Sequence, residues 1–84
     1  MDNKVLIRLE VPAVKQVFEM RIPDHMPLSR AVPLMVKAVG DLSDGAYVSS
    51  GKELLCCKRL NAPLETDATL ADYGLINGEH LLLF

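Results

Sequence analysis

The chain has 84 residues, 11 acidic and 9 basic, for a formal charge of −2, and half of its residues are hydrophobic. That length predicts one domain over residues 1–84 with a modest core and little room for an enclosed active site. The composition excludes a disordered tail, the interspersed charges offer no basic stripe for nucleic acid, and the longest apolar run, Leu81-Leu82-Leu83-Phe84, is far short of the ~20 residues a membrane helix needs.

Met1-Asp2-Asn3-Lys4 leads into an alternation with no signal-peptide core before it. Val5, Ile7 and Leu9 alternate with Leu6, Arg8 and Glu10, which reads as a strand. Val11-Pro12-Ala13-Val14-Lys15 interrupts it, and a second alternation sets Phe18, Met20 and Ile22 against Val17, Glu19 and Arg21. Two strands with a short connection make a hairpin. Val5, Ile7, Leu9, Phe18, Met20 and Ile22 are its expected core residues.

Pro23 to Pro27 is a connection. Leu28, Ala31, Val32, Met35, Val36 and Val39 then recur at helical spacing, with Gly40 as the expected stop. Pro33 is cheap only in a first turn. A start near Ser29–Arg30, with Leu28 packing just ahead of it, is therefore expected. Asp41 to Gly51 reads as a loop, Leu54 to Lys58 as a third strand, and Pro63-Leu64 as a brief edge strand. Thr69 and Asp72 have capping-box spacing, Gly74 permits the exit from one tight turn, Asn77-Gly78 turns again, and Leu81 to Phe84 is the last strand.

The order of elements, together with Thr69-Leu70-Ala71-Asp72-Tyr73-Gly74-Leu75, resembles ubiquitin. The resemblance spans nearly the whole chain and is weakest between Asp41 and Leu54. It implies an α+β, ubiquitin-like β-grasp fold, a mixed sheet of four to five strands wrapped on one helix, with the first and last strands side by side. Within that superfamily, Tyr73-Gly74-Leu75-Ile76-Asn77-Gly78-Glu79-His80-Leu81 is similar to the ending of the YukD/EsaB-like proteins of bacterial type VII secretion. That resemblance implies a cytosolic, non-catalytic accessory component whose partners are secretion-machine proteins. Ubiquitin's conjugation needs a flexible Gly-Gly tail, whereas Phe84 is the last residue here. A modifier or sulfur-carrier protein with an activated C-terminus is the alternative, and it requires a tail beyond Phe84. The centre of ubiquitin's apolar recognition face aligns near Lys58, so ubiquitin's own partners are not expected to carry over.

The residues present no catalytic constellation, cofactor motif or metal-ligand spacing. Cys56 and Cys57 are adjacent, and strand neighbours point to opposite faces, so one is expected in the core and one on the sheet surface, both reduced. That fits a cytoplasmic setting. His25 and His80 read as solvated, and Gly40, Gly45 and Gly51 lack a phosphate-cradle lysine. Function is therefore expected on a surface. Leu6, Arg8, Val17, Lys58 and Leu82 are the candidate partner-binding residues, with Leu6 and Leu82 expected together on adjacent central strands and Val17 beside them.

Overall fold

A computed structural model describes residues 3–84; Met1 and Asp2, read above as part of the lead into the first strand, lie outside the described residues. Strand β1 (Lys4–Val11) and strand β2 (Gln16–Pro23) form an antiparallel hairpin that joins Val11 to Gln16 and Lys4 to Pro23. The connection is shorter than the sequence pattern implied. Val11 remains in the strand and is fully buried, Pro12–Val14 form one 3-10 turn, and Lys15 closes it in the left-handed region at φ 54°. Helix α1 (Leu28–Leu42) follows, then strand β3 (Leu55–Cys57), strand β4 (Ala62–Pro63), a 3-10 turn at Ala71–Tyr73 and strand β5 (Glu79–Leu83). The sheet order is β2-β1-β5-β3-β4, with β5 parallel to β1 and antiparallel to β3. First and last strands lie together in the centre, as in the β-grasp fold.

The core is the set that period-2 and helical spacing require. Val5, Ile7, Leu9 and Val11 of β1, Leu81 and Leu83 of β5, and Leu55 and Cys57 of β3 face Leu28, Ala31, Met35 and Val39 of α1. Leu64, Leu70 and Leu75 close its end. Two of the expected core residues differ. Phe18 and Met20 are only partly buried, because β2 is the outermost strand and has a neighbour on one side.

The helix also differs at both ends. It begins at Leu28, and its first amides are satisfied by a neighbouring segment instead of a cap: Leu28 N–H donates to Ala68 at 2.8 Å and Ser29 N–H to Thr66 at 2.7 Å. With those orphan donors met, no early turn is needed to place Pro33 in it. Pro33 sits inside the helix and supplies no N–H to the carbonyl of Ser29, which lies on an exposed turn open to water. Gly40 does not stop the helix. Asp44 and Gly45 do so, at φ 58° and 82°, with Gly45 N–H returning to the Gly40 carbonyl at 2.9 Å.

The capping box is formed. Asp72 N–H donates to Thr69 Oγ1 at 3.1 Å, and Thr69 N–H donates to Asp72 Oδ2 at 2.9 Å. Gly74 leaves the turn at φ 65°. Replacing Thr69 by alanine is expected to lower stability by about 0.5–2 kcal/mol, while Thr69→Ser retains most of it. Urea midpoints for the two variants check this; equal losses would contradict the cap.

Candidate functional site

The side chains that alternation turns away from the helix form one face of the sheet. They are Val17, Glu19 and Arg21 on β2, Leu6, Arg8 and Glu10 on β1, His80 and Leu82 on β5, Cys56 on β3 and Pro63 on β4. The registers arrange them in rows across the strands. One row runs Val17, Glu10, Leu82, Cys56, Pro63, and the next runs Glu19, Arg8, His80. Lys58 extends the second row, since its N–H donates to the His80 carbonyl at 3.1 Å.

All five candidate binding residues therefore share this face, but they do not form one cluster. Leu82 lies opposite Glu10, four residues along β1 from Leu6. At roughly 3.3 Å per residue that offset along the strand alone is about 13 Å. The expected contact between them is absent because β1 and β5 run parallel with a stagger that alternation alone does not fix. Leu6 instead sits at the Asn77-Gly78 turn, where its N–H donates to Asn77 Oδ1 at 2.8 Å and its carbonyl accepts Gly78 N–H at 2.7 Å. Val17 and Leu82 share a row with Glu10 between them, and Arg8 and Lys58 flank His80.

Two residues belong here that the sequence reading left out. Leu54 and Phe84 exchange both backbone hydrogen bonds at 2.9 Å, one step beyond Leu55 and Leu83. Their side chains follow the parity of Cys56 and Leu82 and are about half exposed. Alternation extended by one residue at each end would have found them. Together Leu54, Phe84, Leu82, Cys56 and Pro63 make an apolar end of the face, with Arg8 and Lys58 next to it. Cys56, Lys58, Pro63, Leu82 and Phe84 line a recess of about 280 Å³ there.

The histidines are not simply solvated. His80 Nε2 lies 2.8 Å from Glu10 Oε1, so the pair joins the two central strands on this face. His25 is largely exposed yet sits 2.6 Å from Asp24, and that hydrogen bond raises its pKa above the ordinary histidine value. Cys56 is half-buried on the outer face and Cys57 is buried in the core, as alternation required, and both are free thiols.

Chemistry elsewhere is structural. Glu53 accepts from Tyr47 Oη and Ser49 Oγ at 2.8 Å and from Ser50 N–H at 2.9 Å, which ties the loop after α1 together. Burial pushes Glu53 up, but these hydrogen bonds outweigh it and hold the carboxyl below its usual range, while desolvation and Glu53 itself push the Tyr47 phenol up to about 12. A concavity of about 600 Å³ runs between α1 and this loop, with Leu28, Val32, Val36, Leu54 and Leu64 among its lining residues. Among the described residues no three His, Cys, Asp or Glu side chains converge to hold a metal ion, and no helix is long and apolar enough to cross a membrane.

Comparisons with known proteins agree with the architecture. A ubiquitin-like domain of the Mycobacterium tuberculosis type VII secretion protein EccD1 superposes with a TM-score of 0.77 at 14% identity, over 96% of this chain and 97% of that one. The EccD5 ubiquitin-like domain of Mycobacterium xenopi gives 0.71 at 15% identity, over 98% and 93%. A protomer of the ESX-3 core complex gives 0.74 at 23% identity, over 98% of this chain but 16% of that chain. A search of curated protein sequences finds no significant match. The family described as the WXG100 protein secretion system (Wss) protein YukD matches residues 6–83, and the chain therefore belongs to the YukD family of ubiquitin-like, type VII secretion-associated proteins.

Proposed function

We propose that residues 1–84 form one ubiquitin-like domain that acts in the cytoplasm without catalysis, docking on protein components of a type VII secretion system through the outer face of its sheet. The observation that carries this reading is the apolar end of that face, where Cys56, Pro63, Leu82 and Phe84 line a recess with Lys58, Leu54 pairs with Phe84, and Arg8 lies in the neighbouring row. Exposed apolar side chains grouped on an open sheet favour a partner, and the adjacent cations favour a partner with acidic groups at its rim. Family membership supports the secretion setting. The ESX-3 core-complex protomer supports protein partners, since a similar fold is there part of a larger chain in an assembly.

Affinity purification of the tagged chain from its source cell, with mass spectrometry of what is retained, tests the reading. The chain is expected to recover secretion-machine components. Leu82→Glu is expected to lose them with little change in the thermal melt. Leu6→Glu, at the far end of the face, is expected to retain most of the recovery. Equal retention by Leu82→Glu and the unmodified chain, or recovery of no secretion component, would refute the proposal.

A further inference from the structure

The two edges of the sheet differ. At one, β4 has two residues and contains Pro63, which cannot donate to a further strand. At the other, β2 runs eight residues in unbroken register from Gln16 to Pro23, with no bulge and with charges on its outer face. Its backbone groups can be assigned. Asp24 N–H donates to the Asn3 carbonyl at 2.9 Å, so that pair is a hydrogen-bonded one. An antiparallel ladder alternates, which turns the N–H and C=O of Phe18, Met20 and Ile22 towards β1 and those of Val17, Glu19 and Arg21 outward.

We propose that this edge pairs with the same edge of a second copy of the chain, antiparallel, with the two-fold axis at Met20. The strand is self-complementary in that register. Each copy's Glu19 faces the other's Arg21 and exchanges both backbone hydrogen bonds with it, so opposite charges meet directly on the outer face. On the inner face Phe18 faces Ile22 and Met20 faces Met20. The neighbouring registers permitted by the same outward residues set Glu19 against Glu19 or Arg21 against Arg21, and like charges directly opposite are destabilising. A second observation points the same way. Phe18 and Met20 carry the alternation of core residues yet are left partly covered in one copy, and the apolar surface they leave open lies along this edge. A paired second strand covers it. The result is one continuous sheet with both outer faces on the same side, presenting two docking faces to a partner.

Analytical ultracentrifugation over a wide concentration range tests the pairing directly. The unmodified chain is expected to show a reversible monomer–dimer equilibrium. Glu19→Arg and Arg21→Glu are each expected to weaken the dimer about tenfold, because each places like charges opposite one another twice per interface. The double reversal restores the opposite-charge pairs and with them the affinity. Glu19 also faces Arg8 within the hairpin, so thermal melts confirm that each variant is folded. Met20→Cys in a Cys56→Ser background gives the register: mild oxidation is expected to link two chains at the axis, whereas Val17→Cys, which would face Pro23, is expected to cross-link poorly. A chain that stays monomeric throughout overturns the proposal. A double reversal no better than the single ones, or equal cross-linking at positions 17 and 20, overturns it as well.

Discussion

Truncating Leu70 to alanine is expected to destabilise the domain by about 2–5 kcal/mol. The side chain has no exposed surface and belongs to the core cluster that β1 and α1 share. Its own backbone is pinned, since the Leu70 carbonyl accepts the N–H groups of Tyr73 and Leu75, both at 3.2 Å, and the following Ala71 N–H donates to Asp24 at 2.9 Å. A site held this way cannot collapse to fill the void, which favours the upper part of the range. For a domain of this length the total stability is about 4–12 kcal/mol, so the variant is partly unfolded at moderate temperature. Ile76→Ala, six residues on and 70% exposed, is expected to change stability by less than about 0.5 kcal/mol. Urea unfolding with an unchanged slope separates the two. Comparable losses at Leu70 and Ile76 would mean that the turn and not the core anchors this segment.

Leu70 also illustrates what can be read from the sequence. Thr69, Asp72 and Gly74 define a local motif whose bonds close within a few residues, so spacing predicts the capping box, whereas the burial of Leu70 depends on what the turn packs against. The strands are legible for the same reason, because alternation is a local property. What spacing does not contain is how strands slide past one another. Leu6 and Leu82 each fall on the expected face, yet the stagger of β1 against β5 sets them two rows apart. The helix ends fail on similar grounds. Its first amides bond to Thr66 and Ala68, nearly forty residues away, and its exit depends on two positive-φ residues beyond Gly40. Phe18 and Met20 have core periodicity, but their burial depends on β2 being the outermost strand, a matter of sheet order. The candidate face was thus readable as a set of residues and not as an arrangement.

The interaction least visible in the sequence is also expected to set the acid stability. Glu79 is buried near the start of β5, where Arg59 approaches from the turn after β3, with Nε at 3.1 Å from Oε2 and an amino nitrogen at 3.2 Å from Oε1. Arg59 is about half exposed, so the buried partner decides the energetics. The hydrogen bonds from Arg59 hold the Glu79 carboxyl below its ordinary value of 4.5 against the opposing effect of burial. A folded pKa below the unfolded one gives a stabilising contribution that is present above about pH 4.5 and is lost as pH falls through the folded value. Arg59→Met reverses the sign. The carboxyl keeps the Ile76 N–H at 3.4 Å and the Cys57 thiol at 4.0 Å, and burial then raises its folded pKa above the unfolded one. Glu79 becomes destabilising at neutral pH, by about 1–3 kcal/mol as a buried acceptor without its donor, and is relieved when it protonates in acid. The deficit of Arg59→Met relative to the unmodified chain is therefore expected to be largest near pH 7 and to shrink below pH 4. Adding Glu79→Gln to Arg59→Met removes the titrating group and with it that pH dependence. Denaturant unfolding of the three proteins across this range decides the matter. A deficit that is constant from pH 3 to pH 7 would show that Arg59 acts through packing and not through the carboxylate it faces.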